Sequence, residues 1–414
     1  MHAIFLNNMD TFIVLIFKHI LFIFLLMLCH ICLADTTSPL KYHQQVFSLG
    51  DEKYNVDLPT GYTLEVLTTD LNKPRLLTFL PNNELLIGSK SGSIYRLFPP
   101  YTKAETLLKL NDYPHSIAYR NQQLFIAQEH GLYKVHYTPG QQASSLIKPV
   151  KIISLPGGGH SSRTISLGPD KRIYLSIGIS GNCSDEYLDN SYAFNKRRGG
   201  IFVLDESNNN YQLVPYASGL RNPVGFDWHP ETGIMFASNN GPDHQGFELP
   251  PEYFSRIDKN SFHGMPWFQY NGKAVKRDDC VNSKPPKPSQ TVIEPVATFP
   301  ARNAPMGVAF VPQNYSDNRL SLNAIVALRG SWATRPGGGF LGSQSTRRPP
   351  KIVIVRFSKG KALKVDDLLS GFQLPDGDRW ARPVGVEIGP DQHIYFTSDS
   401  ETNGLFRLRF NVKK

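Results

Sequence analysis

After the first 34 residues the chain is written in short apolar segments that alternate or run continuously for four to six positions, separated by clusters of Pro, Gly, Asn and Asp. Such segments, rich in β-branched and aromatic residues, predict short antiparallel strands joined by tight turns. Helical apolar periodicity is absent from this part of the chain. The segments also recur in a fixed order: Pro-x-Gly or an equivalent, an apolar strand, a Pro-Asp or Pro-Asn turn, an alternating strand, then glycine and a third strand. The clearest copies run from Lys73-Pro74 to Leu97, from Arg221 to Ile257 and from Arg382-Pro383 to Leu408. Interrupted copies begin at Tyr113-Pro114-His115, His160-Ser161-Ser162 and Ala304-Pro305-Met306.

Six copies, with Pro81 and Pro169 lying 88 residues apart across one intervening copy, give about 44 residues per unit. That period predicts an all-β fold, a six-bladed β-propeller of four-stranded antiparallel blades, in which radial packing leaves few open edges. The strand Tyr62–Leu67 precedes the first full copy and is expected to close the ring by joining the last blade. Two stretches, Asn271–Pro300 and Gly330–Pro350, break the period and are expected to leave the blades at one face and shape the site there.

The amino terminus follows another rule. Ile20–Leu28 is an apolar core behind Lys18 and His19, and Cys32-Leu33-Ala34 supplies small residues at the positions a signal peptidase reads. Residues 1–34 are therefore expected to be a signal peptide, retention as a membrane anchor being the alternative, and 35–414 a single propeller domain. This implies a periplasmic or secreted protein without a membrane span in its mature form, a monomer or homodimer. Cys183 and Cys280 remain in the mature part; in an oxidising compartment they invite a disulfide, which spacing alone does not decide.

Composition excludes more than it selects. The 414 residues carry a net charge of +9 and 40% hydrophobic residues, ordinary for a globular chain. Basic residues are scattered, apart from Lys196-Arg197-Arg198 and Arg347-Arg348, so nucleic acid is not expected as a partner. The chain lacks a zinc-type Cys-x-x-Cys pattern in its mature part, a phosphate loop and a Gly-x-Ser-x-Gly elbow. His229, His244 and His263 stand apart and read as surface or loop residues.

Chemistry concentrates at the blade entrances. His160, behind Gly157-Gly158-Gly159, would face the central channel, where an imidazole serves as a proton acceptor or merely bonds a neighbouring blade. Arg221 and Asn222 open the fourth copy, and the Gly241-Pro242 corner ends its second strand. An arginine fork suits a carboxylate, and carbonyls at such a corner suit a hard cation. Arg329 and Arg382 hold similar positions in later copies. Each residue has an ordinary structural reading; their convergence on one channel is what the propeller predicts.

Three segments carry a family resemblance: Gly158-Gly159-His160-Ser161-Ser162-Arg163 with Gly168-Pro169-Asp170; Gly219–Gly225 with Asn240-Gly241-Pro242; and Arg382–Val386 with Gly389-Pro390-Asp391. With them the chain resembles the soluble glucose/sorbosone dehydrogenases, six-bladed quinoproteins that use pyrroloquinoline quinone and Ca2+, over about Gly61 to Phe410. The sorbosone-type and aldose-type branch looks nearer than the classical glucose enzyme.

The resemblance implies oxidation of an aldose sugar or a sugar aldehyde such as sorbosone by hydride transfer to the quinone, with electrons passed to an external acceptor. It implies His160 as catalytic base, Arg221, Asn222, Arg329 and Arg382 as cofactor contacts, and the carbonyls of Gly241 and Pro242 as metal ligands. Four positions depart from the pattern. Gly159 stands where an acidic residue flanks the histidine, and Ile179 where an aspartate follows the next strand; Val384 replaces a second arginine and His115 a glutamine. Those departures keep two other readings open: a propeller without redox activity that binds glycans or proteins through its long loops, and a calcium-dependent lactonase.

Overall fold

The structure is a computed structural model and describes residues 39–207 and 210–411. The signal segment expected at 1–34 lies outside the described residues. Six antiparallel sheets follow one another around an axis. Blade 1 comprises Pro74–Phe79, Leu85–Ser89, Ser93–Leu97 and Ala104–Lys109, and blade 2 Pro114–Arg120, Gln123–Gln128, Gly131–His136 and Val150–Ser154. Blade 3 is built from Ile165–Leu167, Ile173–Ile177, Gly200–Asp205 and Gln212–Ser218; blade 4 from Phe226–Trp228, Met235–Asn239, Glu252–Ile257 and Ala297–Phe299. Blade 5 uses Pro305–Phe310, Ala324–Leu328, Lys351–Ser358 and Lys361–Leu369.

Blade 6 closes the ring as expected. Ala381–Ile388 pairs with the first half of Ile394–Phe410, whose second half pairs with Tyr62–Thr68. That 17-residue segment folds back on itself, since the Phe396 and Phe406 rings stack with centroids 5.0 Å apart. A strand from the amino-terminal side thus completes the carboxy-terminal blade and leaves no gap in the ring.

Second strands are buried along their whole length between neighbouring sheets: Leu85–Ser89, Ile173–Ile177, Met235–Asn239 and Ala324–Leu328 contain no exposed position. This is why they read as continuous apolar runs, whereas the outer strand Lys361–Leu369 mixes exposed and buried positions.

The Pro-x-Gly signature has a steric cause. A Cβ built on Gly225 would lie 2.2 Å from the Met306 carbonyl oxygen; on Gly307, 2.8 Å from that of Val384; on Gly385, 2.6 Å from that of Arg75. Innermost strands therefore approach backbone to backbone around the axis, and hydroxyls stitch them together: Ser238 Oγ donates to the Met306 carbonyl at 2.6 Å and Thr397 Oγ1 to that of Arg75 at 2.6 Å. Gly225→Ala should destabilise the protein by about 1–3 kcal/mol through this overpacking, read as a lower midpoint in urea; an unchanged midpoint would refute the close-approach account.

The Gly-Pro-Asp turns also prove structural. Asp170 and Asp391 accept the hydroxyls of Tyr174 and Tyr395, at 2.8 and 2.6 Å, and the backbone N–H groups of Arg172 and His393. They sit between first and second strands, at the face opposite the channel entrance that carries His160. An antiparallel blade puts its 2–3 loop and the connection to the next blade at one face, hereafter the upper face.

The insertion Gly330–Pro350 leaves at that face. Asn271–Pro300 does not: it belongs to the connection between third and fourth strands of blade 4, which starts at the lower face. It reaches the upper face by running back along blade 3, where Phe262 bridges Ser218 in parallel and the His263 N–H donates to the Ser218 carbonyl at 2.9 Å. The insertion carries the small hairpin Phe268–Tyr270 with Val275–Arg277. Another hairpin, Tyr42–Leu49 with Glu52–Pro59, had no counterpart in the repeat; its Phe47 and Val56 pack into the core cluster that includes Leu369 and Trp380.

Candidate functional site

The residues expected at the site all lie at the upper face, on blade-to-blade connections or 2–3 loops except Arg382, the second residue of the first strand of blade 6. His160 precedes the first strand of blade 3. Its backbone N–H donates to the Ile179 carbonyl at 3.3 Å, and the Ile179 N–H donates to the Arg221 carbonyl at 2.8 Å, so three loop segments form one ladder. A Cβ on Gly178 would lie 2.6 Å from Asn222 Oδ1 and 2.8 Å from His160 Cβ, which places those two side chains on either side of a residue that must be glycine.

The tautomer of His160 follows from its partner. Nδ1 lies 2.5 Å from the Ile179 carbonyl, which only accepts, so Nδ1 carries the proton and Nε2 keeps a free lone pair. Nε2 makes no hydrogen bond to a described residue. Burial, then the nearby Arg221 charge, lowers the imidazole to about 4, so it is neutral at pH 7. The orienting carboxylate missing at Ile179 is thus replaced by that residue's own carbonyl. Gly159 has no room for a side chain: φ is +67° and a Cβ would meet the Ser180 carbonyl oxygen at 2.1 Å.

Arg221 is buried and held from behind. Nε donates to the Asn182 carbonyl at 2.9 Å and Nη2 to Asn182 Oδ1 at 3.0 Å, leaving Nη1 without a partner among the described residues. Burial lowers its pKa. The Gly241 N–H donates to Glu252 Oε2 at 2.5 Å, and burial pushes this carboxyl up to about 7. The carbonyls of Gly241 and Pro242 accept no hydrogen bond from a described residue, although both residues are buried. Asp243 pairs with Arg302, whose side chain also reaches the Gly246 carbonyl, and this fixes the turn from the blade 4–5 side.

Across the channel, Arg329 and Arg382 form a second group. Arg382 Nε and Nη2 donate to the carbonyls of Arg329 and Gly330, both at 3.0 Å. It has no carboxylate partner among the described residues, and burial with Arg329 and Arg379 beside it lowers its pKa to about 9. Arg329 Nε contacts Asp399 Oδ1 at 2.8 Å, and Asp399 also binds Arg75 Nη1 at 2.5 Å. Lys90 joins this group, its pKa lowered to about 8 by burial and then by Arg75.

Sequence reasoning missed Arg75, Lys90, Asp399, Asn182 and Asp243, which lie outside the matched motifs, and gave Glu252 no role. Only the repeat could have pointed to Arg75, which sits beside the Pro of blade 1 much as Arg382 sits beside that of blade 6. His115 is fully buried, with Nε2 3.4 Å from Arg75 Nη2. Val384 is buried in an apolar waist with Val224, Met306 and Ala327, below the charged mouth. His229 and His263 are buried rather than at the surface, both within packed backbone connections that supply their contacts.

Below the waist, a cavity of about 460 Å³ is lined by the lower ends of the inner strands, including Asp227 and Glu387. Burial raises these carboxyls to about 6 and about 8. Of the matched motif segments only their last residues, Gly225 and Val386, reach it, and none of the expected site residues does, so the candidate site is the charged mouth.

The mouth fits an anionic cofactor with several carboxylates. Arg382 is a half-buried cation without a carboxylate partner among the described residues, Arg75 Nε is buried without a hydrogen bond, and Arg221 Nη1 has no partner among the described residues. Two unengaged carbonyls at Gly241 and Pro242 fit a hard cation beside it.

Comparison with known proteins bears on the fold that carries this mouth. Residues 56–248 match the family model described as TrAA12-like. An uncharacterized protein of Borreliella burgdorferi is 27% identical over 374 residues, covering 85% of this chain and 90% of that protein. Among solved structures, the calcium structure of the Trichoderma reesei family AA12 carbohydrate-active enzyme superposes with a TM-score of 0.69 at 17% identity, covering 85% of this chain and 96% of that one. The holo form of the pyranose dehydrogenase PQQ domain from Coprinopsis cinerea gives 0.66 at 17% identity, with 86% and 97% covered. The segment that holds His160, Arg221 and Gly241-Pro242 is therefore TrAA12-like, and the whole ring shares the six-bladed fold of the sugar-dehydrogenase quinoproteins that its motifs resemble.

Proposed function

We propose that this chain is a quinoprotein dehydrogenase that oxidises an aldose sugar or a sugar aldehyde such as sorbosone, using pyrroloquinoline quinone and Ca2+ and passing electrons to an external acceptor. The observation that carries the reading is the pairing of a neutral imidazole, its free Nε2 fixed by the Ile179 carbonyl, with the buried Arg221 and the half-buried Arg382, neither of which has a carboxylate ion-pair partner among the described residues, at the same channel mouth.

Arg221, Asn222, Arg329 and Arg382 would hold the quinone's oxygens and carboxylates, and the Gly241 and Pro242 carbonyls would hold the calcium. When bound, the quinone supplies the two-electron acceptor and the metal polarises its carbonyl. The chain's own part is acid–base and positional. His160 Nε2 takes the proton of the substrate hydroxyl as the hydride leaves the same carbon, so the C–H and O–H bonds are both lost and C=O gains its second bond. After burial, the Arg221 charge is the larger of two arginine charges that hold His160 low, Arg163 being the other, and an anion that neutralises Arg221 removes that cause.

The Cys183–Cys280 disulfide supports a secreted or periplasmic setting, where such a bond persists. Among the described residues no helix is long and apolar enough to cross a membrane.

Purified protein supplied with the quinone and calcium should reduce a dye in the presence of aldoses. Its kcat/KM should keep a plateau through pH 6 and fall only as the pH drops towards 4, because His160 is the active base in its neutral form above its lowered pKa. Absence of dye reduction with every aldose and aldonic aldehyde tried would refute the activity. An acid limb near the ordinary histidine value of about 6.5 would refute the base's described environment.

A further inference from the structure

Gly241-Pro242 and Arg221 belong to different loops, and a single residue ties them together. Asn182 accepts Nε and Nη2 of Arg221 through its carbonyl and Oδ1, and the same Oδ1 accepts the Asp243 N–H at 2.7 Å, one residue beyond the turn. The next residue, Cys183, is joined by a disulfide to Cys280, 97 positions away, with Cα atoms 5.4 Å apart.

Cys280 leads back to the same turn. Its N–H donates to Asp278 Oδ1 at 2.9 Å. The Asp278 carboxylate, itself buried, contacts His244 Nε2 at 2.8 Å and accepts Gln245 Nε2 at 2.9 Å. A closed circuit results: Asn182, Cys183, Cys280, Asp278, His244 and Asp243, with the metal-binding turn of the proposed function inside it. Nothing in the ring's own strand pairing requires this strap, because the strands of blade 3 and of blade 4 are each paired within their own sheet. The insertion that carries Cys280 reaches the upper face only by climbing the outside of blade 3, and what it delivers there is the disulfide and Asp278.

We infer that Asn182, clamped by the Cys183–Cys280 disulfide, is the positioning residue that sets Arg221 and the Gly241-Pro242 turn in register for one anionic cofactor and one cation. The inference rests on the cofactor reading above. Asn182 touches neither group; it acts by turning the guanidinium so that Nη1 faces away from the clamp, and by holding the backbone after Pro242. Opening the disulfide removes the restraint from the far side of both loops at once, so cofactor affinity becomes dependent on the thiol redox state.

Two readouts on the full chain test this. The first needs no cofactor: hydrogen exchange at residues 240–246 in protein with the disulfide intact, after reduction with dithiothreitol, and in Cys280→Ser, Asn182→Ala and Asn182→Asp. The Asp243 amide should exchange about tenfold faster or more in Asn182→Ala and on reduction, with Leu85–Ser89 of blade 1 unchanged. Asn182→Asp keeps an acceptor oxygen and should exchange like the parent. The second is titration with pyrroloquinoline quinone at saturating calcium, where Asn182→Ala and the reduced protein should bind about tenfold more weakly or worse and Asn182→Asp should retain affinity.

Unchanged exchange at Asp243 in Asn182→Ala and on reduction overturns the clamp. Faster exchange with unaltered quinone affinity overturns the positioning role. A parent protein that binds no quinone, while Asp243 still responds to reduction, overturns the cofactor reading instead, so the two failures are told apart.

Discussion

His160→Ala should lower turnover by about a hundredfold to ten-thousandfold while leaving quinone affinity within about threefold. The imidazole is neutral and contributes a lone pair rather than a charge, so its loss removes proton transfer and little binding. Its Nδ1 is spent on the Ile179 carbonyl, and the ladder that aligns the loops runs through backbone groups that alanine preserves. Single-turnover reduction of bound quinone by sugar separates the two quantities. Unchanged turnover would show that His160 only bonds its neighbour; a collapse of affinity with turnover would show that it holds the cofactor.

Arg221→Ala should act in the opposite sense. Truncating one partner of a buried charge pair costs about 2 kcal/mol or more, roughly thirtyfold in affinity, and its unpaired Nη1 is the group offered to the ligand. Arg221→Lys should recover little, because an ammonium cannot donate to both Asn182 acceptors and a carboxylate in one plane. Equilibrium titration gives the affinity directly. Parent-like binding by Arg221→Ala would make this arginine a tie between loops and nothing more. The His160 and Arg221 variants together divide the mouth into a group that moves a proton and a group that holds an anion.

Much of the architecture was legible because the repeat has a steric origin. Gly225, Gly307 and Gly385 are glycine for want of space at the axis, so they mark the inner strands of blades 4, 5 and 6, and the Tyr-Asp turns mark the ends of those of blades 3 and 6. Ring closure by Tyr62–Thr68 follows from a last copy that lacks its outer strand. The hairpin Tyr42–Pro59 was not legible, since it packs on the outside of blades 5 and 6 and shares no spacing with them.

At the site, residues inside the motifs could be named, and those contributed by loops could not. Asn182, Asp243 and Asp399 act through contacts 39 to 324 positions away in sequence, beyond the reach of any local pattern. The departures at Gly159 and Ile179 take on a different meaning once placed. Gly159 has no space for the acidic side chain of the glucose enzyme, and a backbone carbonyl at Ile179 does the orienting that a carboxylate does elsewhere. A carbonyl carries no full charge and so offsets only part of what burial and then the Arg221 charge do to His160, and these two are the physical reason for the low acid limb.

The most direct test of the whole account is a titration of metal-free protein with pyrroloquinoline quinone, followed by absorbance with and without calcium. Arg221 and Arg382, without carboxylate ion-pair partners among the described residues, and the unengaged Gly241 and Pro242 carbonyls predict one saturable site per chain whose affinity rises by at least about tenfold when calcium is added. Binding that is absent, or that ignores calcium, would contradict the assignment of this mouth to a quinone and its metal.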